Sequence, residues 1–192
     1  HVTPADIQAA CRAVGHEWRE RILGPVLTVQ ALLLQILHAI AMTAVSRLTG
    51  VAFTPSAYCQ ALKRLPVDVL RRLLRQAVTR QRRDSEAIAR WRGHRVVFVD
   101  GSSCSMPDTP ELQQRFGQPT EQKPGCGFPV AHLLALFDAY TGMLVDVLAS
   151  SWRVHDLARV GELLPHLQPG DVLLGDRGFC SFAHIALLRG QG

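Results

Sequence analysis

Apolar positions recur at helical spacing over the first half of the chain. Past residue 95 they fall into short runs bounded by Gly and Pro. Residues 5–23 predict a helix: Ile7, Ala10, Cys11, Val14 and Trp18 share a face, Asp6 complements the helix dipole, and Gly24-Pro25 breaks it. Residues 26–48 predict one long apolar helix, with no charge between Ile22 and Ser46. Such a length could span a bilayer. Thr28, Gln30, Gln35, His38 and Thr43 interrupt it, however, and a buried core helix accounts for it better, with His38 as a hydrogen-bonded core histidine. Gly50 closes that helix. Thr54 as N-cap and Pro55 at the first position open a short one, which runs to about Leu65 and stops at Pro66. Residues 67–92 predict a further helix whose stripe is Val69, Leu70, Leu73, Leu74 and Val78.

The second half reads as strands. Val96-Val97-Phe98-Val99 predicts a buried strand that ends at Asp100 and a Gly101-Ser102 turn. Residues 102–128 predict a long loop, because Pro107, Pro110, Pro119, Pro124 and Pro129 oppose regular structure, and a loop of this length is usually functional. Residues 130–138 and 143–150 predict a hairpin turning at Tyr140-Thr141-Gly142. Asp156 opens a helix with Leu157, Val160, Leu163, Leu164 and Leu167 on one face, ended by Pro169-Gly170. A strand over 171–175 delivers Asp176, and Ser181 caps a final helix carrying Ile185, Leu187 and Leu188. The order strand, strand, strand, helix, strand, helix opens a ribonuclease-H-like fold, in which the first and fourth strands are neighbours. The fold class expected is therefore α/β: an N-terminal helical domain over 1–95, then the first part of a ribonuclease-H-like mixed-sheet domain over 96–192.

Charge sharpens that division. Residues 1–95 hold 15 Lys and Arg against 6 Asp and Glu, and residues 96–192 hold 6 against 10. The first half suits a polyanion and the second a metal site, although arginine-rich helices are also simply well solvated. The helix over 67–92 carries Arg71, Arg72, Arg75, Arg80, Arg82, Arg83 and Arg90 and is the candidate for phosphate contact, which gives affinity without sequence choice. The two helices flanking Gly50 have the spacing of a helix-turn-helix, with Ser56, Gln60, Lys63 and Arg64 toward DNA. Five cysteines, at 11, 59, 104, 126 and 180, have no metal-ligand spacing and read as reduced intracellular thiols. With 47% hydrophobic and 19% charged residues the chain is globular.

Asp100 and Asp176 carry the candidate chemistry. A carboxylate beside a buried strand is costly unless it is paired, hydrogen-bonded or bound to metal. Each could be local, Asp100 capping its turn and Asp176 pairing with Arg177 at the surface. Ligand sites nevertheless gather at strand ends. If the two strands are neighbours, the two carboxylates could share a divalent cation.

These features resemble the insertion-element-4 family of DDE transposases. In the basic half the matching stretch runs from Phe53-Thr54-Pro55-Ser56-Ala57-Tyr58-Cys59-Gln60-Ala61 through Arg64-Leu65-Pro66. In the second half it comprises Val99-Asp100-Gly101-Ser102-Ser103, Met106-Pro107-Asp108-Thr109-Pro110, Pro124-Gly125-Cys126-Gly127-Phe128-Pro129, Gly170-Asp171 and Gly175-Asp176-Arg177-Gly178-Phe179. The resemblance implies that Asp100 and Asp176 are the first two acids of a catalytic triad. It implies Mg²⁺ (or Mn²⁺), two ions in the complete enzyme, and strand transfer on double-stranded DNA at transposon ends and target. It also implies a homodimer in the synaptic complex, in the bacterial cytoplasm and without membrane association. Lys63, Arg64, Arg71, Arg72, Arg75, Lys123 and Arg177 are the candidate DNA contacts. The family places its third acid, a Glu, well beyond the second Asp, whereas Glu162 precedes Asp176 on another element. The chain begins at His1 and stops 16 residues after Asp176, so it reads as a piece of a longer protein, inactive alone. A non-catalytic DNA-binding remnant of a decayed transposase is the alternative, and a helical membrane-associated protein built on residues 26–48 a third.

Overall fold

The structure, a computed structural model, describes residues 2–85, 90–121, 123, 126–154 and 158–190, without the side chains of residues 84 and 85. It divides into two compact units, His1–Ala77 and Val78–Gly192.

Helices α1 (Pro4–Ala13), α2 (Pro25–Leu37), α3 (Met42–Thr49) and α4 (Pro55–Arg64) build the first unit, together with the start of α5 (Val67–Ser85). Helix α1 opens on a capping box, in which the Thr3 hydroxyl accepts from the Asp6 N–H and the Asp6 carboxylate accepts from the Thr3 N–H. It ends ten residues later, well before the predicted residue 23, because Gly15 turns the chain at φ +69°. The single long helix predicted over 26–48 is two helices, α2 and α3, bent by 114°. Ala39 takes φ +49° at the break. Among the described residues no single helix is long and apolar enough to cross a membrane. His38, expected in the core, is exposed at the C-terminal end of α2. Helix α4 starts as predicted, with the Thr54 hydroxyl accepting from the Ala57 N–H and Pro55 in the first turn.

Two clusters hold this unit together. Ile7, Ala10 and Cys11 of α1 pack with Val29 of α2 and with Val69 and Leu73 of α5. Ala31, Val45 and Tyr58 form the second, lined by Phe53, Met42 and Leu62. Burial pushes the Cys11 thiol and the Tyr58 phenol above their ordinary pKa ranges. Tyr58 satisfies its hydroxyl by donating to Gln35 Oε1 at 2.9 Å. Helix α5 is described as far as Ser85 and does not reach 92: Trp91 and His94 instead close a small antiparallel bridge around Arg92 and Gly93, both at positive φ. Arg90 therefore stands apart from the basic helix, and residues 86–89 lie outside the described residues.

The second unit is a mixed four-stranded sheet in the order β3-β2-β1-β4. Strand β1 (Val96–Ser105) pairs antiparallel with β2 (Val130–Asp138), which pairs antiparallel with β3 (Leu144–Ser151). On its other side β1 pairs parallel with β4 (Val172–Leu174). The neighbouring first and fourth strands expected from the element order are present, and the chain is α/β as expected. Strand β1 does not end at Asp100: it continues to Ser105, paired residue for residue with the long β2. The predicted loop also contains a helix, α6 (Pro110–Phe116), because Thr109 caps it through the Leu112 N–H and Pro110 sits where a missing N–H costs nothing. Among the described residues the helix expected after Asp156 is replaced by 3₁₀ structure that includes the turns Val160–Glu162 and Leu164–His166, and Pro165, with no N–H to donate, opposes a continuous α-helical ladder there. Residues 155–157 lie outside the described residues. Helix α7 (Phe182–Arg189) starts at Ser181 as predicted, although Ile185 and Leu187 are exposed.

Candidate active site

Strand alternation fixes which way Asp100 points. Val97 and Val99 are buried, so Phe98 and Asp100 occupy the opposite, open face of β1. The parallel pairing with β4 then fixes its neighbour. Val96, Val97 and Phe98 pair with Val172, Leu173 and Leu174, a constant offset of 76 residues. The same offset joins His94 Nδ1 to the Gly170 carbonyl at 2.7 Å and Arg95 to Asp171. The paired register stops at Phe98 and Leu174; continued by two residues, the same offset would bring Asp176 opposite Asp100. Neighbouring strands lie ~4.8 Å apart, and side chains at one register position leave the same face.

Gly175 makes the continuation possible. A Cβ there would sit 2.8 Å from Val99 Cγ1, so β4 approaches β1 at this point only because the position is glycine. Beyond it the Asp176 carboxylate caps a 3₁₀ turn, Arg177–Phe179, by accepting from the Gly178 N–H at 2.7 Å. Asp100 accepts from the Gly101 N–H at 2.9 Å. In each carboxylate these bonds use Oδ1, and both side chains are exposed. The contact of the Asp176 side chain is this turn bond and not the Asp176–Arg177 surface pair expected as the local alternative.

Both acids line one open cleft of about 550 Å³, with Phe98, Phe137 and Leu174. Asp138 lines it too but is committed elsewhere: it is buried, and its Oδ1 accepts from the Tyr140 and Thr141 N–H groups and the Thr141 hydroxyl. Among the described residues no group of three His, Cys, Asp or Glu side chains is placed to hold a metal. Two exposed carboxylates, each with Oδ2 directed away from its turn bond, fit a hard divalent cation that keeps several waters and takes further oxygens from a phosphate. Glu162 takes no part: Arg159 clamps it through two bonds of 2.6 and 2.7 Å and holds its carboxyl below the usual range.

A model of the transposase DDE domain matches residues 91–192, just over half of the chain. The chain belongs to the transposase DDE domain family. The DDE domain so defined takes in the whole sheet and both acids. The Escherichia coli (strain K12) protein named "Putative transposase InsZ" is 27% identical over 140 residues, 71% of this chain. The chain spans about half the length of that curated relative, 46%. No solved structure matches.

Of the expected DNA contacts, Arg177 stands immediately beside Asp176, and Lys123 is exposed in the loop after α6. Lys63 and Arg64 are exposed in the last turn of α4, alongside Ser56 and Gln60 on the same helix. Arg71, Arg72 and Arg75 are exposed on α5, where Arg71 also meets Asp68 at 3.0 Å. Sequence reasoning missed a nearly buried ion pair that joins the residue before β1 to the residue before β4. Arg95, just before β1, donates through Nε to Asp171 Oδ1 at 3.0 Å and through Nη2 to Asp171 Oδ2 and the His166 carbonyl. Its partner stands just before β4, and the two side chains are only 10% and 7% exposed. The one signal available in advance was the shared spacing: Arg95 to Asp171 and Asp100 to Asp176 are equally far apart along the chain.

Proposed function

We propose that the chain is the N-terminal portion of an insertion-element-4 type DDE transposase, acting in DNA transposition. It binds transposon-end DNA through its basic helices and supplies two of the three acids used in phosphodiester cleavage and strand transfer. What supports this most is that both acids line one cleft, beside a parallel β1–β4 pairing whose 76-residue offset equals the spacing of Asp100 and Asp176. Asp100 and Asp176 would hold Mg²⁺ or Mn²⁺ through the oxygens that their turn bonds leave over. The chemistry such ions supply when bound is activation of a water or 3′-hydroxyl and stabilisation of the leaving oxygen.

The chain's own residues do the rest. The Gly101 and Gly178 N–H groups orient the two carboxylates, so neither must reorganise when phosphate arrives. Arg177, beside the second acid, meets the strand's charge with a planar fork. Lys63, Arg64, Arg71, Arg72, Arg75 and Lys123 hold the backbone without choosing sequence. The working state proposed is a homodimer bridging two ends, on chromosomal or plasmid DNA in the bacterial cytoplasm.

The test uses the full-length protein. Asp100→Asn and Asp176→Asn should each abolish cleavage of donor DNA with Mg²⁺ and leave DNA affinity within about twofold, because each removes one ligand and no phosphate contact. Cleavage by either variant would refute the assignment. Binding without cleavage by the unmodified full-length protein would mark it as a non-catalytic remnant.

A further inference from the structure

The helical unit contains a basic pocket that the DDE chemistry does not use. The segment between α1 and α2 folds over the start of α2 and the end of α4 and encloses about 340 Å³. Arg19 and Arg21 line it from the segment and Arg64 from α4, with Glu17 as the one acidic residue in the lining. All three arginines are exposed, and among the described residues none has a carboxylate partner within ion-pair distance. One wall is aromatic: His16 and Trp18 stack with their rings 6.1 Å apart and inclined by 26°, while Trp18 also packs on the α1–α2–α5 core. The floor is the first turn of α2, where Gly24 offers no side-chain cap and the Thr28 hydroxyl is held by the Gly24 carbonyl.

Three unpaired guanidinium groups around a concave site cost self-repulsion unless an anion enters. Planar forks suit the oxygens of a phosphate better than a point charge does. The aromatic wall suits the sugar or base attached to it. We infer that this pocket seats a backbone phosphate of a DNA strand, giving the helical unit a fixed anchor besides the exposed arginines of α5. This rests on the DNA-processing function proposed above.

The experiment measures affinity of the 192-residue chain for a labelled duplex between 50 and 300 mM KCl. Arg19→Gln/Arg21→Gln should weaken binding about tenfold at 0.1 M salt, because charge-assisted bonds to the phosphate disappear. It should also make the log–log salt slope shallower by about 0.9 for each phosphate that is no longer neutralised. Arg19→Lys/Arg21→Lys should recover most of the slope and less of the affinity. Arg47→Gln, outside the pocket in the same unit, should change neither by as much, and circular dichroism checks that every variant is folded. An unchanged slope in the folded double Gln variant overturns the inference and leaves the transposition function standing. Saturation of the pocket by inorganic phosphate or dAMP, seen by calorimetry, with no duplex binding also overturns it, because the anion taken is then a free one. If the slope shifts as expected while Asp100→Asn still cleaves, the pocket stands and the catalytic assignment falls.

Discussion

Replacing Arg95 by Met keeps the aliphatic stem and removes the guanidinium from a site where its partner's carboxylate is nearly buried. Asp171 is 7% exposed and would keep only the Gln168 N–H, at 2.7 Å. Removing one member of a buried pair typically costs about 3–5 kcal/mol, because the remaining charge is left uncompensated. Asp171→Leu should cost about as much, since it strands Arg95 and deprives the Gln168 N–H of its acceptor. The double variant Arg95→Met/Asp171→Leu should cost far less than the sum, because an apolar pair in the same volume is often as stable as the ion pair. What persists is about 1 kcal/mol for the Gln168 N–H. Urea unfolding followed by circular dichroism reads this directly. With a slope of about 2 kcal/mol/M, each single variant moves the midpoint down by about 1.5–2.5 M, while the double variant moves it by less than either. The cycle should return a coupling above about 2 kcal/mol. Single costs that add to within about 0.5 kcal/mol would refute the pairing and with it the means by which β4 is registered on β1.

Two further outcomes follow, one in each unit. Gly175→Ala brings a methyl against Val99 Cγ1, on a buried, β-branched side chain with little room to turn, and should cost about 1–3 kcal/mol by thermal melting. An unchanged melting temperature would mean that β4 does not approach β1 there. Tyr58 should titrate above the ordinary phenol range by absorbance at 295 nm. Because the folded state holds the Tyr58 proton more tightly, its contribution to stability is complete below about pH 10 and is lost as pH rises through the higher folded value. Tyr58→Phe should remove that alkaline loss, and its persistence would assign the loss to another group.

The strands were legible because their signals are local. The valine run of β1, the hairpin at Tyr140-Thr141-Gly142 and the Gly-flanked Asp176 each announce themselves within a few residues, and element order alone placed β1 beside β4. The caps of α4 and α7 were legible for the same reason, one side chain binding an N–H three residues on. What stayed hidden depends on distant partners or on geometry without a composition signal. Residues 26–48 carry no charge before Arg47 and no Gly or Pro, yet the chain bends at Ala39, where nothing local marks the position. The extension of β1 to Ser105 depends on the length of β2, and Pro110, taken as a breaker, sits at a helix start. The Arg95–Asp171 clamp joins residues 76 apart and has no local signature. In the candidate site both acids were candidates from sequence, whereas the close approach of Gly175 to Val99 and the Arg95–Asp171 pair appear only with the register.

The facing of Asp100 and Asp176 can be measured without metal or DNA. In a chain whose five native cysteines are replaced by Ala or Ser, the double variant Asp100→Cys/Asp176→Cys is exposed to mild oxidant and mapped by mass spectrometry. Disulfides form when Cα atoms lie about 4.4–6.8 Å apart, which includes the ~4.8 Å expected of register neighbours. The expected result is rapid, near-complete intramolecular bridging, with little in the control Ser102→Cys/Asp176→Cys, two positions out of register. Bridging as slow as the control, in a protein shown to be folded, would contradict the register and leave the two acids without a common ion to hold.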